Sequence, residues 1–438
     1  MAKNIKASGF TELTPEKQIL ENYIKDIIAK NYAKAGYVNI DTPAVELTSV
    51  LTAKGGEEVS KQIFGLYGLS QGSEDAKEYS LRFDLTVPFA RYIIEHEEEL
   101  KFPFKRFQMQ KVWRGERAQK CRYKEFTQCD IDVVGENLNI NYDIEIIETL
   151  YNSVADILKF LEINRYVEVH INNKHIIYGI CDMYEITGEN VSKLFALLDN
   201  YYKLPKEKFE KLLEEIAGDK KQDIINFLQK DLSIENFKGL NEEISSGVSD
   251  LVQIYNTLKN RGINVIFDPY ITRGLDYYTG VVFETFVVSG DEKPMSICSG
   301  GRYDNLVGAI RDVTGNKGKS YEGVGGSIGL SRLFCILENM GLLNKSLSLT
   351  DIIVFNMGAS DTYREEILKQ LKQTNKSIDV YYNQAKLDKQ FKYAESKNIN
   401  FGIFAGENEE KSKTVIVKDL QKRAEEEIKL SDLSKYFN

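Results

Sequence analysis

Lys124-Glu125-Phe126-Thr127-Gln128-Cys129-Asp130-Ile131-Asp132-Val133-Val134 is the stretch on which the fold turns. In an extended chain, alternate side chains share a face. One face then carries Phe126, Gln128, Asp130 and Asp132, with Cys129, Ile131 and Val133 opposite. Aspartate is a poor strand former, so two aspartates and a glutamine in one strand need a reason. A polar face turned to water would supply one. Phe126 on that same face, and the basic loop just before the strand, weaken the explanation. Polar groups beside an aromatic platform and clustered arginines suit a nucleotide and a polar small molecule. Lys105–Arg114 reads as the antiparallel partner, joined to the strand through the basic loop.

Residues 101–124 carry nine lysines and arginines against one acid, Glu116, whereas the whole chain has a net charge of −9. A global nucleic-acid footprint is therefore absent, and one concentrated basic segment remains as a place for polyphosphate or RNA. Around it, Thr14-Pro15-Glu16 reads as a helix start. Ile19, Leu20, Tyr23, Ile24, Ile27 and Ile28 follow at helical spacing, and Gly36 closes the helix. Short strands and loops fill Tyr37 to Val134, interrupted by a helix that Pro88 starts and that runs from Phe89 to His96. Ile144, Ile147, Tyr151, Val154, Leu158 and Leu161 share one face of a further helix. Residues 176–262 read as an inserted helical unit, strands and glycines resume from Val265 to Gly329, and Ser331–Asn339 is helical. After a linker at 341–349 the rhythm alternates strand and helix, which predicts a small α/β domain with a largely parallel sheet over 350–438. The expected fold is thus an α+β domain on a mainly antiparallel sheet with flanking helices (1–175 and 263–340), the helical insert, and that α/β domain.

With 438 residues, 42% hydrophobic and 28% charged, the chain reads as a soluble protein of two to three domains. No apolar run follows the lysines of Met1–Phe10, and no stretch approaches a membrane span, so a cytosolic protein is expected. Cys121, Cys129, Cys181, Cys298 and Cys335 are scattered and odd in number, which argues against a disulfide framework and against a zinc knuckle. His170 and His175 lie five apart, which suits neither the i, i+4 helix pair of a zinc site nor one strand face, and they read as ordinary residues.

Three further segments invite chemistry. Arg82-Phe83-Asp84-Leu85-Thr86 puts Asp84 and Thr86 on one face, although an Arg82–Asp84 pair with a structural role reads equally well. Arg273-Gly274-Leu275-Asp276-Tyr277-Tyr278 could supply a fixed charge and hydroxyl donors, or be a tight turn with packed tyrosines, and composition does not separate the two. Ser299-Gly300-Gly301-Arg302-Tyr303-Asp304 and Gly323 to Gly329 signal close backbone approach; neither is a P-loop. Arg332 stands near the start of a helix, where a cation opposes the macrodipole unless it meets an anion.

Together these segments resemble the histidyl-tRNA synthetases, a branch of the class II aminoacyl-tRNA synthetases. Tyr37 through Thr42-Pro43 to Glu46 is similar to the first class motif, a dimer-forming segment. Val112-Trp113-Arg114-Gly115-Glu116-Arg117 through Phe126 resembles the second, and Gly325 to Arg332 the third, written GxSxGxxR. Arg273–Tyr278 and Gly300–Asp304 resemble the two signatures peculiar to the histidine enzymes. Residues 350–438 resemble their anticodon-binding domain. Two departures are Ser331, where many relatives carry glutamate, and Cys121 with Cys129, at positions that vary in the family.

The resemblance implies formation of histidyl-adenylate from L-histidine and ATP, followed by transfer to the 3′ end of tRNA(His), in a homodimer, with magnesium accompanying ATP. By the same match Arg114 and Arg273 are the catalytic cations. Arg114 meets the α-phosphate, and Arg273 meets both that phosphate and the histidine carboxylate. Arg332 meets the γ-phosphate, Phe126 stacks on adenine, and Glu116 and Arg122 complete the ATP set. Asp84, Leu85, Thr86, Gln128 and Tyr277 surround the amino-acid end, while Asp132 and Tyr278 read the imidazole. A carboxylate accepting one ring N–H and a hydroxyl donating to the other nitrogen can discriminate by about 10⁴-fold or more without editing. Two rivals are a catalytically silent paralogue, such as an ATP phosphoribosyltransferase regulatory subunit, and a class II enzyme for another amino acid. Arg114, Arg273, Arg332 and residues 350–438 speak against the first, Asp132 and Arg273–Tyr278 against the second.

Overall fold

The computed structural model describes all residues except 1–4, 55–56, 69, 71–77, 118, 232–235, 237–239, 273–276, 289–295 and 346. The chain divides into two compact units, residues 1–11 with 24–343, and 12–23 with 344–438.

In the larger unit β1 (Val38–Asn39) is followed by a small antiparallel sheet of β2 (Val45–Leu47), β3 (Phe64–Leu66) and β4 (Tyr79–Leu81). The long hairpin β5 (Phe104–Trp113) and β6 (Glu125–Gly135) comes next, then β7 (Tyr166–Asn173), β8 (Val265–Phe267), β9 (Val281–Val288), β10 (Ser296–Arg302) and β11 (Glu322–Gly329). With β1 these make an eight-stranded sheet in the order β1-β5-β6-β11-β10-β9-β7-β8. Its five inner pairings are antiparallel, and only the end pairs β1–β5 and β7–β8 are parallel. The mainly antiparallel core expected from the strand periodicity is therefore present. A parallel pair cannot be closed by a tight turn, and the helices between Lys174 and Asn260 form the crossover from β7 to β8. The first and last of them start at Asn173 and Asn241, whose side chains accept from the N–H groups of His175 and Ile244.

Burial settles the question left open by the alternation of β6. Both of its faces are covered, so Asp130 and Asp132 are 2% and 1% exposed rather than turned to water. The helix assigned to Pro88 begins two residues earlier, at Thr86, and ends at His96. Asp84 Oδ1 accepts the Val87 N–H and so satisfies one free donor of the first turn, where Pro88 is tolerated.

The smaller unit holds the sheet β13-β12-β14-β15-β16. Here β12 (Ile352–Val354), β13 (Ile378–Val380) and β14 (Phe401–Phe404) are parallel, as strand–helix alternation predicts. β15 (Thr414–Asp419) and β16 (Glu425–Lys429) add an antiparallel edge that the sequence pattern only partly discloses.

Candidate active site

The site is a lateral row across the centre of the large sheet. Arg106 on β5 pairs in register with Asp132 on β6, Asp132 with Gly325 on β11, and Gly325 with Gly301 on β10. A side chain at Gly325 would sit 1.9 Å from Asp132 Oδ1, and one at Gly301 would meet the Tyr278 ring at 2.9 Å. Glycine at these two positions is thus a steric requirement. The strands form a flat floor on which an acid and an aromatic ring lie.

Asp132 is held from two sides. Tyr303 donates its hydroxyl to Oδ1 at 2.5 Å, and Arg106 Nη2 stands 2.7 Å from Oδ2. That approach is oblique, and Oδ2 makes no hydrogen bond. Arg106 is itself fully buried, donates to the Leu85 carbonyl and lies over the Phe89 ring at 4.4 Å. Next along the strand face, Gln128 donates to Ser327 Oγ at 3.0 Å while its Oε1 is buried without a partner. Asp84 takes the Tyr277 hydroxyl on Oδ2 at 3.3 Å.

Burial dominates the electrostatics. It lifts the Asp132 carboxyl to about 7, with Arg106 and Tyr303 opposing and neighbouring Asp130 and Asp84 reinforcing the rise. Asp84 is pushed up to about 6 for the same first reason, despite the Val87 N–H and Arg114. Asp130 is raised by burial too, with Arg106, Ser327 and Arg114 pulling the other way. Three carboxyls are buried side by side, opposed by Arg106, Arg114 and, for Asp130, Arg82; their raised pKa values mark a site where a ligand cation would be stabilised. Gln128 Oε1, buried without a partner, and Asp132 Oδ2, paired in charge with Arg106 but not hydrogen-bonded, favour one that donates hydrogen bonds.

The structure brings together Asp84, Leu85, Thr86, Gln128, Asp132, Tyr277 and Tyr278 in this way, all of them buried except the half-buried Gln128. Arg114, half-buried just beyond β5, donates its Nε to the Phe83 carbonyl and holds its guanidinium 5.1 Å from the Phe126 ring centre. Arg332 occupies the first turn of the helix Leu330–Asn339. Glu116 and Arg122 are on the β5–β6 loop, away from the buried row, with Arg122 exposed. Arg273, with Gly274, Leu275 and Asp276, lies outside the described residues.

Two expectations are corrected. Arg82 does not pair with Asp84; it binds the carbonyls of Thr42, Pro43 and Lys111. The cysteines do not all remain apart, because Cys121 and Cys335 form a disulfide. Sequence reasoning also gave no role to Arg106 or Tyr303. For Arg106 a signal existed: pairing the hairpin ends Arg114 and Lys124, which hydrogen-bond through their backbones, already sets Arg106 opposite Asp132.

Comparison with known proteins agrees with this architecture. Residues 9–333 match the family model described as histidyl-tRNA synthetase, and 351–438 match the anticodon binding domain. A histidine–tRNA ligase of Clostridium acetobutylicum is 38% identical, over 96% of this chain and 97% of its own. The crystal structure of histidyl-tRNA synthetase from Nostoc sp. PCC 7120 superposes with a TM-score of 0.82 at 34% identity, covering 99% of this chain and 98% of that one. A Bacillus halodurans chain described as an ATP phosphoribosyltransferase regulatory subunit/histidyl-tRNA synthetase shares the fold, with a TM-score of 0.71 at 20% identity. A buried acid row on a glycine floor, motifs in this order and relatives matched from end to end lead to one assignment: the chain belongs to the histidyl-tRNA synthetases, within the class II aminoacyl-tRNA synthetases.

Proposed function

We propose that the chain activates L-histidine with ATP and then esterifies the 3′ end of tRNA(His), with the residues of the buried row choosing the amino acid. One observation carries the choice of ligand: three buried carboxyls lie together over a glycine floor, with Gln128 Oε1 buried without a partner and Asp132 Oδ2 ion-paired to Arg106 but not hydrogen-bonded. An amino acid brings an ammonium group for the first feature and, in histidine, a ring N–H for the second.

In this reading the ammonium sits among Asp84, Thr86 and Gln128, with Leu85 beneath it and Tyr277 fixing Asp84. Tyr303 occupies one oxygen of Asp132, and the other, beside Arg106 but without a hydrogen bond, accepts the imidazole N–H, while Tyr278 donates to the remaining ring nitrogen. The histidine carboxylate attacks the α-phosphorus of ATP in line and pyrophosphate leaves. Charge grows on the phosphate oxygens during that step, and fixed cations stabilise it more than they stabilise the ground state. Arg114 and Arg273 are assigned to the α-phosphate, Arg332 to the γ-phosphate, and Phe126 to the adenine face; Glu116 and Arg122 close over the nucleotide from the loop. Magnesium arrives as part of the ATP substrate, held through phosphate oxygens and water.

The same proposal makes the protein a cytosolic homodimer, its partner surface built from Tyr37 to Glu46, with 1–175 and 263–340 catalytic, 176–262 inserted, 341–349 linking and 350–438 reading the anticodon. No helix among the described residues is long and apolar enough to cross a membrane. ATP–pyrophosphate exchange with each amino acid in turn tests the reading. Exchange with histidine alone is expected; exchange with no amino acid overturns activation, and exchange with a different one overturns the assigned specificity.

A further inference from the structure

Cys121 and Cys335 stand 214 residues apart in sequence, yet their Cα atoms are 5.6 Å apart and their sulfurs are joined. Cys121 lies in the loop between β5 and β6, next to Lys120 and Arg122. Cys335 lies on the helix Leu330–Asn339, three residues beyond Arg332 and so about one turn along it. Both are buried, and the Asn339 amide lies 3.3 and 3.2 Å from the two sulfurs.

The backbone supplies a second observation. Cys121 has a φ of 58°, in the left-handed region that glycine enters without penalty and other residues enter at a cost. A side chain is nonetheless present there, and it points at the only other cysteine it can reach. The remaining cysteines, Cys129, Cys181 and Cys298, are buried elsewhere as thiols. Loop and helix also meet at the hairpin root, where the Thr127 N–H donates to Ser331 Oγ at 2.9 Å.

We propose that Cys121 and Cys335 are a reversible oxidation site for peroxides, and that closing the bond slows the reaction by fixing the β5–β6 loop to the helix that carries Arg332. In a reducing compartment a lone disulfide of this kind acts as a switch rather than a permanent staple. One thiolate sulfur attacks the peroxide O–O bond, leaving a sulfenic acid and releasing one water. The second thiol then attacks that sulfur and expels another water. Two thiols and one hydrogen peroxide thus become one disulfide and two waters, with the thiols oxidised and the peroxide reduced. A small dithiol restores the starting pair by exchange. The effect on rate rests on the ligase reading, because a loop that covers ATP and the tRNA end must open to admit one and release the other.

The test uses the full chain, reduced with dithiothreitol or treated with hydrogen peroxide, and reads both a non-reducing peptide map and ATP–pyrophosphate exchange with histidine. The expected result is a Cys121–Cys335 linked peptide and a several-fold slower exchange, both reversed by dithiothreitol. Cys121→Ser and Cys335→Ser, made separately, should each keep the reduced-state rate and lose the peroxide response. Absence of the linked peptide overturns the proposal, and so does a linked chain that exchanges as fast as the reduced one. A reduced chain inactive with every amino acid would instead overturn the ligase reading, with the pairing still decided by the map.

Discussion

The acid row on the glycine floor and the basic loop of the β5–β6 hairpin are joined by a few residues of chain, yet they work under opposite physical regimes. In the row, Asp84, Asp130 and Asp132 are almost fully buried, with Tyr277 on Asp84 and Tyr303 and Arg106 on Asp132. In the loop, Lys120 and Arg122 are exposed to water and salt. A buried acceptor left unpaired costs far more than a surface contact gains, so the choice of amino acid belongs to the row. Exposed cations are screened over about 8–10 Å at ordinary ionic strength, so the loop suits phosphates that come and go.

The largest expected effect belongs to Arg273, assigned by motif to the chemical step. Arg273→Ala should lower kcat/KM for exchange by roughly 10³-fold while circular dichroism reports an intact fold. Wild-type-like turnover would remove the arginine from the chemistry and leave the row to work without it.

Next comes the support of the row. Arg106→Leu deletes one partner of a buried pair and should cost about 3–5 kcal/mol of stability in denaturant titrations. A loss below about 1 kcal/mol, the scale of a surface pair, would put Arg106 in the same class as the loop cations. A smaller, pH-dependent effect follows from the raised carboxyls. Asp132 rises from 3.8 to about 7 on folding and Asp84 to about 6, so the folded chain holds protons that the unfolded chain releases. Their stabilising contribution is complete below about pH 4 and lost as pH rises through about 7. Between about pH 5 and 8, the ligand-free Tm should therefore fall with rising pH, and Asp132→Asn should flatten that slope. An unchanged slope in the variant would mean that Asp132 does not titrate in this window. The smallest effect belongs to the loop: Lys120→Ala should weaken tRNA binding modestly and reduce the salt dependence of that binding by about one phosphate contact. Histidine KM should stay constant, and a matching rise in it would erase the distinction between the regions.

Much of this division was legible in the sequence. The two-residue period of 124–134 places Gln128, Asp130 and Asp132 on one face, and local charge marks the loop. Other features depend on how distant segments pack. Nothing local tells that Gly325 is demanded by Asp132, since the two meet only through the β6–β11 register. Tyr303 was visible as part of a motif, but its bond to Asp132 spans 171 residues. The small sheet of β2, β3 and β4 has strands of three residues, too short for any period to register. Cys121 and Cys335 show no spacing pattern at all, because their approach is set by the hairpin and the helix after β11.

The central claim is that the buried acid, and not the basic loop, selects histidine. Its most direct test is the histidine dependence of ATP–pyrophosphate exchange in the wild-type chain and in Asp132→Ala. The account predicts a KM for histidine higher by about 10²-fold or more in the variant, with the KM for ATP nearly unchanged. An unchanged KM for histidine in a folded variant would contradict it.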